Sequence, residues 1–280
     1  MLTRAIKGLE DVISYTVVMP IWQRTRPDDP NDEHAGWYFA DPHGSPVRNA
    51  IGLGGPFPSS YPGNDPDPHL GARNVRELYE HAGQIGGKFT VPILFDKESR
   101  TIVSNESSEI IQMLNSEFND FAGCPEIDLQ PEDLKSTMDE VDKWIYPTVN
   151  NGVYRCGFAK SQEAYDVAIR ELTASFDRLE EILSSRPYIA GDRLTLSDIR
   201  LFVTLLRFDE VYVVYFKCNT RSVSNSPTLL NYCRNIYRMK GVAETVNMDQ
   251  IKLHYYCSHP DLNKWSIVPR GPDFIRLLTL

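Results

Sequence analysis

An α+β fold, a mixed α/β half followed by an all-helical half, is what the order of periodicities in this sequence predicts. Three observations carry it. Residues 89–95 form a β-branched and aromatic run, followed by a second short run at 102–103 and a helix-opening stretch at 105–108. Beyond about residue 130, long stretches repeat apolar side chains at helical spacing with no further clear strand. Residues 22–69 hold nine of the 19 prolines and six glycines, so no long element can run through them.

Taken in order, residues 2–9 read as the end of a helix with Gly8 near its stop, and 13–18 as a buried strand. The segment 22–69 is then a long ordered loop or lid, with Trp37, Tyr38 and Phe39 to dock it. Loops of that length inside a compact domain are often functional. Residues 73–81 resume as a helix with Val75, Leu78 and Tyr79 on one side. Pro92 interrupts the run from Phe89 to Phe95. A proline there demotes a central strand unless it marks a turn or a cis bond. Ile102 and Val103 read as a hairpin partner, and residues 105–108 open a helix whose apolar side is Ile110, Ile111 and Leu114. The unpaired N–H groups of such a helix start suit a carboxylate.

A boundary falls near residues 119–130, giving domains 1–120 and 130–280. In the second, Leu134, Met138, Val141 and Ile145 mark one helix face, and Ile169, Leu172, Phe176, Leu179 and Leu183 mark another within 161–185. Thr195 and Asp198 form a capping-box variant, with Leu194 and Ile199 as its hydrophobic staple. Core packing follows at Ile199, Phe202, Val203 and Leu206, and structure alone explains that motif.

Composition narrows the partners. The formal charge of −9 over 280 residues leaves no electrostatic footprint for nucleic acid or an anionic membrane. The apolar run 201–216 is broken by Arg207, Asp209 and Glu210 and falls short of a spanning helix. Cys124, Cys156, Cys218, Cys233 and Cys257 are odd in number and widely spaced, which indicates neither a disulfide framework nor a zinc site. His254 and His259 have no acid at ligand spacing, so no metal is expected.

The Val-Pro segment and the Glu-Ser helix start, joined to a helical half, resemble a glutathione transferase. Gly-Leu-Glu-Asp (8–11), Gly-Trp-Tyr-Phe (36–39), Phe-Thr-Val-Pro-Ile-Leu-Phe-Asp (89–96), Asn-Glu-Ser-Ser-Glu-Ile (105–110), Asn-Asn-Gly-Val-Tyr-Arg (150–155), Arg-Phe-Asp-Glu-Val-Tyr (207–212), Phe-Lys-Cys-Asn (216–219) and His-Tyr-Tyr (254–256) are similar to the omega/xi-type glutathionyl-hydroquinone reductases. The similarity runs over nearly the whole chain. It implies a thioredoxin-like N-terminal α/β domain, here without its first strand, and an all-α C-terminal domain. The implied activity is glutathione-dependent reduction of glutathionyl-hydroquinones. A cysteine thiolate takes the glutathionyl group, hydroquinone leaves, and free glutathione regenerates the thiolate as glutathione disulfide. Glutathione is the cosubstrate, a glutathionylated quinol the other partner, a homodimer the assembly, and the cytoplasm the compartment unless an organellar targeting peptide lies upstream.

Carried over motif by motif, Val91 pairs its backbone with the cysteinyl part of glutathione, and Glu106 and Ser107 bind the γ-glutamyl end. Trp37 lines the same site. Lys88 stands where the family has arginine and keeps the charge without the bidentate fork. Tyr154 and Tyr255 match tyrosines whose hydroxyls contact the quinol. The family's Cys-Pro-Trp-like motif, which places the nucleophile at a helix N-terminus, is absent, so the nucleophile is expected upstream of Met1 and the N-terminal half is expected to be less stable for want of a strand.

Cys124 precedes Pro125 but has Glu126 and Asp128 close by, and neighbouring carboxylates disfavour a thiolate. Cys156, beside Tyr154 and Arg155, is a slightly better surrogate, while Cys218, Cys233 and Cys257 read as packed residues. A second reading from another class is a non-catalytic glutathione-binding or interaction module. Transfer of glutathione to an electrophile needs an activating hydroxyl, and Ser14 and Tyr15 are out of place for it.

Overall fold

A computed structural model describes residues 1–280. In chain order the elements are α1 (Leu2–Ile6), β1 (Gln23–Arg24), β2 (Ala35–Gly36), α2 (Val75–His81), β3 (Leu94–Asp96), β4 (Thr101–Ser104), α3 (Ser107–Ser116), α4 (Lys135–Ile145), α5 (Gly152–Gly157), α6 (Gln162–Ser185), α7 (Leu196–Arg207), α8 (Val213–Tyr215), α9 (Pro227–Tyr237), α10 (Met248–Ser258) and α11 (Phe274–Thr279). Two π-helical turns, Tyr146–Asn150 and Phe208–Tyr212, interrupt the helical part. The chain falls into two compact units that do not follow the expected division near 119–130. A mixed unit comprises Ser14–Ile110 and Asp249–Pro269, and a helical unit comprises Met1–Ile13, Ile111–Met248 and Arg270–Leu280.

In the mixed unit β1 pairs antiparallel with β2, and β3 with β4, the second pair carrying an irregularity between Leu94 and Phe95. The core is Phe39, Val75, Leu78, Tyr79 and Phe89, with Trp37, Val91, Ile93 and Ile102 packed against it. Asn74 caps α2 by accepting the Glu77 N–H at 3.2 Å. The proline-rich loop docks where expected: Trp37 O accepts the Val75 N–H at 2.9 Å, and the Phe39 N–H reaches Arg73 O at 3.0 Å. Farther along, the Asn49 amide donates to Ser266 Oγ at 3.0 Å and the Asn64 amide to Gln250 Oε1 at 3.0 Å. These bonds explain why residues 249–269 group with the mixed unit.

The strand expected at 13–18 does not form. Isolated bonds hold this stretch: Val17 O accepts the Asp65 N–H at 3.2 Å, and Met19 N donates to Tyr38 O at 2.7 Å. Both partners belong to the proline-rich loop, which offers single backbone groups rather than a run of them, so no ladder can propagate.

In the helical unit the periodicities hold. α4 buries Met138, Val141 and Ile145, and α6 buries Ile169, Leu172, Phe176, Leu179 and Leu183. Each such side chain contributes about 1.5–3 kcal/mol on full burial. Ser161 opens α6 by accepting the Ala164 N–H at 3.1 Å. Thr195 and Asp198 close the capping box at α7. The Asp198 carboxylate is buried and accepts from Thr195 N and Thr195 Oγ1, each at 2.8 Å, Ile189 N at 2.8 Å and Tyr232 Oη at 3.0 Å. Burial pushes its pKa up, against the pull of those bonds. Gly8, at φ +65°, ends α1, where a Cβ would meet Gly123 Cα at 3.0 Å. The buried Lys7 donates from Nζ to Asn119 Oδ1 at 2.6 Å and Ile127 O at 2.5 Å.

Candidate functional site

The residues expected to hold glutathione all lie in the mixed unit. The Val91–Pro92 peptide is cis, and Val91 precedes β3, outside the β3–β4 ladder. Two bonds fix the residue before it: Tyr79 Oη donates to Thr90 O at 2.8 Å, and the Asn105 amide donates to Thr90 Oγ1 at 3.2 Å. The second bond ties the Val91 segment to the start of α3. There Ser104 Oγ accepts the Glu106 N–H at 3.1 Å and donates to Glu109 Oε2 at 2.9 Å. Glu106 O in turn receives the N–H groups of Glu109 and Ile110 at 3.0 and 2.9 Å. Glu106 therefore stands at the cap of α3 with its side chain exposed, and Ser107, also exposed, is the first helical residue. The first N–H groups of a helix have no intrahelical partner, and the positive end of the helix dipole favours an anion there.

Lys88 is exposed beside the buried Phe89, whose φ of +47° turns the chain into the Val91 segment. The His34 ring bonds the Lys88 backbone, and through Nδ1 it meets Thr25 Oγ1 at 2.9 Å; burial holds its pKa below the ordinary value. Trp37 stacks on His254 at 4.3 Å and 26°, and meets Trp22 edge-on at 5.7 Å. His254 Nδ1 lies 3.0 Å from Pro20 O and 3.2 Å from Ser258 Oγ. Tyr255, next on α10, is 6% exposed. Its carbonyl faces His259 Nδ1 at 3.2 Å, and burial lowers the His259 pKa. Trp37 and Tyr255 are thus brought to one aromatic cluster through His254.

In the helical unit Tyr154, on α5, is 38% exposed. Its ring lies 5.3 Å from Phe216, 6.1 Å from Tyr212 and 6.4 Å from Phe158, while Tyr212 stacks on Phe216 at 5.4 Å. Tyr154 is therefore the exposed edge of an aromatic patch.

Residues 162–235 match the family described as glutathione S-transferase, C-terminal domain. Over 273 residues the chain is 42% identical to glutathionyl-hydroquinone reductase YqjG of Escherichia coli, covering 97% of this chain and 74% of the relative. It is 39% identical to glutathionyl-hydroquinone reductase PcpF of Sphingobium chlorophenolicum, covering 97% of this chain and 78% of the relative. The glutathione-bound structure of YqjG, a glutathione transferase homolog, superposes with a TM-score of 0.84 at 42% identity, covering 97% of this chain and 79% of that one. The chain belongs to the glutathionyl-hydroquinone reductase family of glutathione transferases. Its fold is accordingly that of a glutathione transferase, a thioredoxin-like part with small sheets and an all-helical part.

Within this reductase family frame, the residues that sequence reasoning missed are the ones that hold the others. Tyr79, Thr90, Ser104, Asn105 and Glu109 fix the Val91 and Glu106 segments, and His254 fixes Trp37. Asn105 and Ser104 carried a signal, since both immediately precede a helix start. His254 carried a signal only within the His-Tyr-Tyr stretch (254–256) and none for its supporting role, because its partners Trp37 and Pro20 are remote in sequence.

The five cysteines are free. Cys257, in the mixed unit, is buried and pushed up to about 11 by that burial. Cys233 is fully buried and its pKa is also driven up by burial. Cys156 and Cys218 are buried in the helical unit, and Cys124 is half-buried there. No group of three or more His, Cys, Asp or Glu side chains is gathered where it could hold a metal ion.

Proposed function

We propose that this protein reduces glutathionyl-hydroquinones with glutathione as cosubstrate. Support comes above all from the Thr90–Asn105 bond, which sets the cis Val91–Pro92 segment beside the capped start of α3. In this reading the Val91 backbone pairs with the cysteinyl part of glutathione. The Glu106 carboxylate takes the γ-glutamyl ammonium, and Ser107 with the α3 start takes its carboxylate. Trp37 walls the site, and Lys88 attracts the remaining carboxylate. Tyr154 and Tyr255 keep the acceptor role that the family resemblance gives them, holding quinol oxygens by their hydroxyls. A homodimer in the cytoplasm is the assembly and compartment proposed for it.

The chemistry is thiol–disulfide exchange started on a thioether. A cysteine thiolate attacks the glutathionyl sulfur, the aryl carbon–sulfur bond breaks, and the ring carbon takes a proton to give the hydroquinone. A second glutathione thiolate then attacks the mixed disulfide, releasing glutathione disulfide and the enzyme thiolate. We assign that thiolate to none of the five cysteines; the resemblance gives it to a Cys-Pro-Trp-like motif, which residues 1–280 do not contain. Three of the five thiols are driven towards the protonated form, and Cys156 is buried.

The test has two parts. Calorimetric titration of glutathione into this chain gives one site, and Glu106→Gln combined with Ser107→Ala weakens binding by about 10- to 100-fold, the loss of one or two charge-assisted bonds. In the polypeptide purified from its native source, hydroquinone release and glutathione disulfide formation persist when each of the five cysteines is replaced by serine. Loss of turnover in one such variant that still binds glutathione would overturn the assignment of the thiolate. Undiminished binding in the double variant would overturn the site.

A further inference from the structure

Phe89 combines a buried aromatic side chain, 5% exposed, with a left-handed backbone at φ +47°. A bulky residue in that region is sterically strained, and such strain persists only where the surroundings over-determine it. Three side chains form a socket around the ring. His34 meets it edge-on at 5.0 Å and 85°, Tyr79 lies at 5.5 Å, and Arg76 Cζ stands 5.3 Å over the ring centroid.

The walls of the socket are themselves pinned. Arg76, on α2, has a side chain 12% exposed. It donates from Nε to Glu80 Oε1 at 2.8 Å, and from Nη1 to Asp32 Oδ2 at 2.6 Å and Thr25 Oγ1 at 3.2 Å. Arg26 donates from Nη2 to the same Glu80 oxygen at 2.7 Å. Thr25 Oγ1 meets His34 Nδ1 at 2.9 Å, and Asp32 Oδ1 accepts the His34 N–H at 3.1 Å. Gly36 leaves room for that ring, since a Cβ there would stand 2.9 Å from His34 Cε1. Arg76 is the common member: it covers Phe89, pairs with two carboxylates and reaches His34 through Thr25.

We propose that Arg76 is a positioning residue for the glycine carboxylate of glutathione, acting by holding Phe89 in its left-handed turn and so aiming Lys88. The inference rests on the reductase reading, which gives that carboxylate to Lys88 and the cysteinyl backbone to Val91. Phe89 lies between the two, and Tyr79 from its socket also donates to Thr90 O at 2.8 Å. The Phe89 φ angle therefore sets the direction from which the chain brings Lys88 relative to Val91. On the other side, residues 81–88 are exposed throughout and Gly87 sits at φ +123°, so the anchor for Lys88 is the Phe89 side. With no guanidinium over its ring, Phe89 relaxes and Lys88 turns away from the bound carboxylate. A lysine at 76 keeps the charge but neither the planar stack nor the fork that spans Asp32 and Glu80.

The experiment titrates glutathione, and glutathione monoethyl ester blocked at the glycine carboxylate, calorimetrically into the whole 280-residue chain. The parent is expected to bind glutathione about 10-fold more tightly than the ester, the worth of one charge-assisted bond. Lys88→Ala brings that ratio to about 1. Arg76→Gln lowers it to about 1–3 while affinity for the ester stays within about 2-fold of the parent, and changes nothing further in the Lys88→Ala background. A merely structural role for Arg76 weakens both ligands alike. Should Arg76→Gln unfold at the assay temperature, Arg76→Lys and Phe89→Leu carry the same readout, each expected to lower the ratio about 3-fold. A preference for glutathione that survives in the folded Arg76 variants, or an equal loss for both ligands, would overturn the proposal alone. No glutathione binding by the parent would overturn the reductase reading beneath it, and a ratio untouched by Lys88→Ala would take Lys88 out of the site and the proposal with it.

Discussion

Adding one methyl group at Gly157 tests whether the aromatic patch under Tyr154 is as tightly closed as its geometry requires. An ideal Cβ there lies 2.2 Å from Phe216 Cδ1, 2.3 Å from Cγ and 2.8 Å from Cε1. Ordinary carbon contacts begin near 3.5 Å, so the ring must retreat by about 1 Å. It has nowhere to go: Phe216 is fully buried, stacked on Tyr212 and Tyr215 at 5.4 Å each and met by Tyr154 and Phe158 at 5.3 Å each. Overpacking of this kind costs about 1–3 kcal/mol. Replacing glycine at the end of a helix returns up to about 1 kcal/mol. Gly157→Ala is therefore expected to lower stability by roughly 1–2 kcal/mol, a Tm loss of about 2–8 °C at 2–4 °C per kcal/mol. Thermal unfolding followed by circular dichroism reads this directly. The decisive arm is a double-mutant cycle, since in a Phe216→Leu background the same methyl costs little or stabilises slightly. A Gly157→Ala protein as stable as the parent, or one equally destabilised in both backgrounds, would refute the argument.

Asp198→Ala removes the common acceptor of four buried donors, and a loss of about 3–5 kcal/mol in urea unfolding is expected, with Asp198→Asn losing less because its amide oxygen still accepts. His259 and His34 both have pKa values lowered mainly by burial. The unfolded chain then binds more protons below about pH 6.5, so their contribution is complete above that pH and is lost as pH falls through the lowered values. Tm measured from pH 7.5 down to 5.5 is expected to fall, and to fall less in His259→Gln; an unchanged slope in that variant would exclude His259 as a source. Asn105→Ala breaks the bond to Thr90 and is expected to weaken glutathione binding by about 3- to 10-fold through loss of pre-organisation while Tm moves little, as titration and melting together would reveal.

Much of the candidate glutathione site was legible because its pieces are local. A β-branched run with Pro92 inside it, and a polar helix start at 105–108, are patterns within a few residues, and the structure keeps both as read. The props behind them were not legible in the same way. Tyr79 reaches Thr90, and His254 stacks on Trp37, only because separate segments pack together. The strand at 13–18 failed for a related reason: its apolar pattern was suitable, but a strand also needs a neighbour offering successive backbone groups.

The sequence by itself determined the helical half, since the spacing of apolar residues along α4, α6 and α7 and the capping box at Thr195 act within one or two turns. Its motifs also determined the family. Only the tertiary structure decided that Asp249–Pro269 belongs with the mixed unit and that His254 supports Trp37. Such pairings depend on which side chains from remote segments fill the same space. Periodicity along the chain states which face a residue turns inward, and packing alone states what it finds there.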